Sequence, residues 1–135
     1  MEKGKLEDLS KYRLEKAKKN LESVPYLIKG EFYNFAANRS YYAAFDAMRA
    51  VNALDRFDSS KHSGVIAHFN QHYVKTGKFK PESSTIIKKA SSIREKSDYE
   101  DFYETTKDEA EEILKLVKVF VYEVENYLKE QNIII

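Results

Sequence analysis

The stretch ANRSYYAAFDAMRA, residues 37 to 50, is apolar enough to lie inside a protein, yet it carries Asn38, Arg39, Asp46 and Arg49. Buried polar and charged groups are costly unless they are paired. These side chains must therefore satisfy one another, latch onto a neighbouring element, or face a ligand. On a helix, Asn38, Tyr42 and Asp46 fall at i, i+4 and i+8, with Arg39 and Arg49 flanking them. That spacing allows a Tyr42–Asp46 hydrogen bond and an Asp46–Arg49 pair. A self-contained network of this kind would fix helix register and nothing more. A binding site needs a second polar group from elsewhere, and Arg94, followed by Asp98 and Tyr99, is the candidate. Its guanidinium suits a phosphate, which arginine grips in bidentate fashion.

Other chemistries have weaker support. His68 and His72 stand at i and i+4, a spacing that can place two imidazoles on one metal. No Glu lies between them in a His-Glu-x-x-His arrangement and no third ligand is placed by sequence, so no metal site is expected. The chain has no cysteine, hence no thiolate nucleophile, disulfide framework or thiolate metal site. Its four glycines (4, 30, 64 and 77) are scattered, so no Gly-rich phosphate loop or Gly-x-Ser-x-Gly elbow exists. No cofactor is expected.

The elements that must position these residues are helical. Only four Gly and two Pro occur in 135 residues, and 42% of the chain is hydrophobic, enough for one domain with a real core. Apolar spacing predicts a first helix over about 6–23, interrupted by Pro25, and a second over about 31–54. Tyr33, Ala37, Ser40, Ala44, Ala47, Val51 and Leu54 form a small-residue seam on the second helix, while Phe32, Phe35, Tyr41, Phe45 and Met48 cover its other faces. A helix apolar nearly all round belongs at the centre of a fold. Residues 55–60 read as a loop ending in a Ser N-cap. A shorter third helix follows over about 61–75, terminated at Gly77. The fourth starts at Pro81 and fades near Arg94. Residues 97–104 read as a loop, and Thr106 opens a capping box with Glu109 on a last helix reaching about Lys129. The expectation is an all-α, antiparallel up-and-down bundle of four main helices plus a shorter fifth. It forms one domain over 1–135, with its core in about 6–128 and a tail over 129–135 whose closing NIII is apolar and either disordered or docked on a partner.

Charge is balanced overall, at +1, but not locally. Residues 75–96 carry seven Lys/Arg against Glu82 and Glu95, and residues 97–112 carry eight acids against Lys107. Either neighbouring helix ends neutralise each other, or a basic face is offered to phosphates or an acidic partner. No apolar run approaches the ~20 residues needed to cross a bilayer. The charged N-terminus lacks a signal-peptide apolar region. A cytoplasmic protein is expected.

Three ordered segments, ANRSYYAAFDAMRAV (37–51), KHSGVIAHF (61–69) and REKSDY (94–99), with TTKDEAEEILKLVKVFV after them, resemble the HEPN domain superfamily. They are most similar to its small stand-alone branch, found beside minimal nucleotidyltransferases. The resemblance spans about residues 6–128 and implies a helical bundle that dimerises and handles nucleotide or RNA. Many members are metal-independent ribonuclease toxins, restrained by the nucleotidyltransferase. Their signature is an Arg followed after four to six residues by a His. Arg94 matches the Arg, but the fifth residue after it is Tyr99 and the sixth is Glu100. A His would serve as proton shuttle near neutral pH. An unperturbed Tyr, with a pKa of about 10, is a poor substitute. Tyrosine nucleotidylation in the Arg-x4-His-x-Tyr form is not matched either, since position 101 is Asp, which leaves Tyr99 a loose candidate.

The resemblance therefore favours Asn38, Arg39, Tyr42, Arg94, Asp98 and Tyr99 as ligand or RNA contacts, with Arg94 the sole catalytic candidate and His62 a secondary one. The expected function is the nucleotide- or RNA-binding half of a two-component, toxin–antitoxin-like pair, homodimeric and partnered by a minimal nucleotidyltransferase. A metal-independent ribonuclease toxin and a non-catalytic assembly module are the alternatives.

Overall fold

The computed structural model describes residues 3–135, and among them there is no strand. Helix α1 spans Lys3–Lys29, α2 Tyr33–Asn52, α3 His62–Phe69, α4 Pro81–Tyr99 and α5 Lys107–Glu130. A 3-10 turn at Ala53–Asp55 ends α2, and a π-helical turn at Asn70–Val74 extends α3. The centre is α2, which packs against α1, α3, α4 and α5. Its Ala37, Ala43, Ala44, Ala47 and Ala50 are all but inaccessible to solvent, and these small side chains let the neighbours approach closely. Most of α2's apolar surface is covered within its own chain, while Phe35 near its start stays exposed. Tyr41, Met48, Phe69, Phe120 and Leu14 fill the main core. Full burial of each such side chain contributes about 1.5–3 kcal/mol.

Four boundaries differ from expectation, each for a local reason. Helix α1 runs through Pro25 to Lys29. Proline removes one N–H and one helical bond, but Val24 is fully buried, and Leu27 and Ile28 pack with it against Ala36 and Ala110. Tertiary burial carries the last turn past the proline. Helix α3 takes Lys61 as its N-cap, with no side-chain cap, in place of Ser60. The nearby Ser59 hydroxyl accepts the Lys61 N–H at 3.1 Å. A Cβ on Gly64 would sit 2.5 Å from that Ser59 Oγ, so this close approach requires glycine. Helix α4 continues beyond Arg94 to Tyr99, which shortens the expected loop. Ile93 is buried in the core and Arg94 pairs with Asp98 one turn on. The end of the tail docks on its own chain: Ile133 is buried and Ile134 packs on the main core, leaving Ile135 exposed.

Other local signals hold. Pro81 occupies the first turn of α4. Both halves of the Thr106–Glu109 capping box are formed. Gly77 takes φ +80°, the left-handed conformation that closes the π turn. Part of the charge imbalance is settled between helices, where Lys89 of α4 pairs with Glu112 of α5.

Candidate functional site

One turn of α4, the start of α3 and the first half of α2 meet around Arg94. Its side chain is only 8% exposed. Nη1 donates to Asp98 Oδ2 at 3.3 Å and Nη2 donates to His62 Nδ1 at 3.2 Å. The guanidinium carbon lies 4.7 Å from the centre of the Tyr41 ring and 5.8 Å from those of Tyr42 and Tyr99. Nε is buried without a partner. Burial opposes the charge, but the Asp98 hydrogen bond and the flanking tyrosines outweigh it and raise the Arg94 pKa. The group stays cationic.

An imidazole does reach Arg94: that of His62, brought in by the start of α3. Its Nδ1 is 3.1 Å from the Tyr41 hydroxyl as well as 3.2 Å from Arg94. Arginine can only donate, so Nδ1 must offer its lone pair and the proton resides on Nε2. The ring packs 4.4 Å from that of Phe45. Burial, and then the Arg94 charge, lower the His62 pKa from 6.5. His62 therefore stands neutral, and it lines a cavity of about 500 Å³ together with Phe45, Arg49, Asp58, Ser59 and Ser60. Because its folded pKa is depressed, the unfolded chain takes up this proton first. Stability should be complete above pH 6.5 and decline as pH falls through the folded value. Denaturant midpoints measured from about pH 7 to about pH 5 check this. In His62→Gln, which keeps an acceptor for Arg94 but has no proton to gain, the decline should be smaller. An equal decline in both proteins would exclude His62 as its source.

Asn38 joins this cluster to a second one. Its Nδ2 donates to Asp98 Oδ2 at 3.2 Å, and its Oδ1 accepts from Arg39 Nε at 3.0 Å and Nη2 at 2.7 Å. Arg39 Nη1 reaches Asn20 Oδ1 at 3.2 Å, and Asn20 Nδ2 donates to Asp46 Oδ2 at 3.0 Å. Arg39 also lies 5.0 Å over the Tyr42 ring. Burial pushes the Asp46 pKa up, against the pull of Lys16, Arg49 and Arg39. The Tyr42–Asp46 and Asp46–Arg49 pairs that helical spacing allows are replaced by longer-range partners. Arg49 instead grips Asp58 with Nη2 at 3.0 Å, and Arg13 meets the same oxygen at 3.0 Å. Burial disfavours the Asp58 anion, but bonds from Arg49, the Ser59 N–H and Arg13 more than offset it and lower its pKa.

Of the sequence candidates, Asn38, Arg39, Arg94, Asp98 and His62 belong to one hydrogen-bonded chain, and Tyr42 lends its ring face. Tyr99 is 74% exposed and only rims the cluster. Tyr41 and Asn20 escaped sequence reasoning. Tyr41 looks like any core aromatic, and Asn20 like part of the lysine-rich polar face of α1. The basic segment 75–96 gives only Arg94 to the cluster, and none of its lysines lines either adjoining cavity. His68 hydrogen-bonds Asp55 at 2.9 Å, an oxygen also taken by the Tyr73 hydroxyl at 2.7 Å. Among the described residues no group of three or more His, Cys, Asp or Glu side chains is placed to hold a metal. No helix among them is long and apolar enough to cross a membrane.

Relatives share most of the chain's length. It is 35% identical over 121 residues to a putative toxin of Methanocaldococcus jannaschii, covering 90% of this chain and 82% of that protein. It is 32% identical over 117 residues to a second putative toxin of the same organism, covering 87% of each. A UPF0332 protein of Thermotoga maritima is 29% identical over 124 residues, 92% of this chain and 94% of that protein. A profile of the HEPN domain matches residues 10–127, a span that holds every side chain of the cluster, and the chain belongs to the HEPN domain family.

Proposed function

We propose that this protein is the toxin-like half of a two-component HEPN/nucleotidyltransferase pair, cytoplasmic, and that its Arg94 cluster binds RNA or nucleotide phosphate. The observation that carries the binding role is the set of donors around Arg94. A fixed cation, neutral His62 at the wall of its cavity and the Asn38–Arg39 pair are joined through Asp98 in one hydrogen-bonded chain. The names of the two Methanocaldococcus jannaschii relatives support the toxin-like class.

One observation favours a metal-independent ribonuclease as the second reading: a histidine does stand 3.2 Å from Arg94. Its lone pair, however, is held by Arg94 and Tyr41, so it offers a proton and cannot accept one without leaving them. Donation suits binding, whereas a general base needs that lone pair free. The test is incubation of pure protein with transfer RNA in EDTA. Binding without cleavage, weakening steeply with salt, supports the module. Cleavage that disappears in Arg94→Ala would install the enzyme, and intact RNA with no binding would remove both.

The homodimer belongs to the same proposal, supported by exposed aromatics at the end of the bundle that holds Arg94. Phe32, Phe35, Tyr99 and Phe102 are each more than half exposed. The Asn34 carboxamide accepts the Thr105 N–H at 2.8 Å, tying the start of α2 to the loop before α5. Exposed apolar clusters of this kind mark protein contacts. Light scattering at micromolar concentration should give twice the 15.8 kDa chain mass. Phe35→Glu should lower it to one. A wild-type mass near 15.8 kDa would remove the dimer.

A further inference from the structure

We propose that the groove between the end of α1 and the first half of α5 docks an amphipathic helix of a partner protein. That helix carries leucine-like anchors on one face and carboxylates along both flanks. No residue of the Arg94 cluster lines the groove, and the inference does not rest on the role given to that cluster.

The groove encloses about 1220 Å³, more than twice the cavity that His62 lines. That exceeds the ~300–1,000 Å³ of an ordinary small-molecule pocket. Its floor is apolar. Ile28, Tyr33 and Leu114 pack on the small core of Val24, Ala36 and Ala110, yet all three stay half-buried and line the groove. Pro25 lies exposed beside them. The rim decides the charge of the occupant. Lys29 on the α1 wall and Lys115 and Lys118 on the α5 wall are exposed, and form no ion pair among the described residues. Two of the lining acids are already engaged, Glu111 by Lys107 at 4.0 Å and Glu112 by Lys89. Glu31 is then the lining acid left to offset three lysines. Tyr122 stands one turn beyond Lys118 and is 61% exposed, which lengthens the strip. From Glu111 to Tyr122 it runs about 17 Å along α5, three turns of a docked helix.

A trough between two helices, apolar below and basic at its edges, takes a third helix. Anchors at i, i+4 and i+7 cover the floor, and flanking carboxylates meet Lys29 on one side and Lys115 and Lys118 on the other. A nucleic acid fits poorly, because Glu31, Glu111 and Glu112 would lie against its phosphates and no arginine lines the groove to grip them. A bilayer surface is flat and would leave the floor of the trough uncovered.

The test uses the full chain, labelled with nitrogen-15, and an eighteen-residue, alanine-based probe peptide. The peptide has leucine at i, i+4, i+7 and i+11 and glutamate on both flanks; this length exceeds the about 12–15 residues below which an isolated helix is marginal. One control peptide has lysine for every glutamate, and another has alanine for every leucine. Fluorescence polarisation gives affinities and amide shifts give the location. The glutamate peptide should bind with micromolar affinity, move amides within 25–33 and 107–118, and weaken with salt. Both controls should bind at least about tenfold more weakly, since each lacks one of the two kinds of contact. Lys115→Glu/Lys118→Glu should lose at least about tenfold toward the glutamate peptide, because two attractions become repulsions. It should also bind the lysine peptide more tightly than wild type does, a reversal that unfolding cannot produce. The variant should melt as the wild type does, because neither lysine has an ion pair to lose.

Equal binding of the glutamate and lysine peptides, shifts centred elsewhere, or no binding would overturn the proposal. Displacement of the peptide by transfer RNA or by phosphatidylglycerol vesicles would overturn it too, giving the groove to a nucleic acid or a membrane. A wild-type dimer that Lys115→Glu/Lys118→Glu converts to a monomer would give the groove to a second copy instead. Arg94→Ala should lose RNA and keep the peptide, so the two proposals can fail separately.

Discussion

Arg94→Ala should lose RNA binding by about one to two orders of magnitude while remaining folded. A charge-assisted hydrogen bond contributes about 1.5–3 kcal/mol, and about 1.4 kcal/mol corresponds to tenfold in affinity. The side chain is also the pivot of its surroundings. It orients His62 by donating to Nδ1, so its removal frees that imidazole to change tautomer and turn. It neutralises Asp98, which would keep only its Asn38 bond, facing the same ligand as a bare carboxylate. Stability should fall by about 1–3 kcal/mol, the cost of stranding buried partners. That loss is moderated because the unpaired Nε leaves too. Arg94→Lys separates charge from shape. An ammonium keeps the cation but cannot span Asp98 and His62 while staying over the Tyr41 ring, so it should recover only a small part of the affinity. Filter binding of transfer RNA in EDTA, with circular dichroism to verify the fold, measures all three proteins. Wild-type affinity in a folded Arg94→Ala would remove the site from this corner of the bundle.

The residues that gave this cluster away in the sequence are those that violate the apolar pattern of their own helix. Asn38 and Arg39 interrupt a run of alanines and aromatics, and their cost had to be met by something. Arg94 and Asp98 were visible through the resemblance, although the helix joining them was expected to fade at Arg94. The pair itself contributes to that extra turn, an interaction that composition alone does not predict. His62 was harder to place, because its position depends on where a loop of six residues delivers α3. Asn52 sets that, donating from the end of α2 to the Val65 carbonyl at 3.1 Å. Pro25 misled for a complementary reason. A breaker acts locally, while the burial of Val24 that overrides it comes from α2 and α5.

Phe69→Ala should be the most damaging single change to the fold, costing about 3–5 kcal/mol. Phe69 is inaccessible to solvent at the end of α3, where the π turn begins. Its ring centre lies 5.0 Å from that of Phe79, 5.5 Å from Phe120 and 5.7 Å from Tyr73. It thereby ties α3 to the π turn, to the approach to α4 and to α5 at once. Edge and stacked aromatic contacts add about 0.5–1.5 kcal/mol each beyond area burial, and alanine leaves a cavity that three rigid rings cannot close. A domain of this size has about 5–15 kcal/mol of stability in all, so the variant should survive at low temperature and melt far below the wild type. The consequence reaches the site, because α3 carries His62 at its other end. Loosening Phe69 should let His62 leave Arg94 well before the whole chain unfolds. Affinity for RNA should then fall as temperature rises toward, but not yet to, the melting point. Phe69→Leu, which refills most of the volume, should restore both properties in part. If Phe69→Ala melts within a few degrees of wild type, α3 is not held by this ring cluster, and His62 is placed by Asn52 and by its own contacts with Arg94, Tyr41 and Phe45.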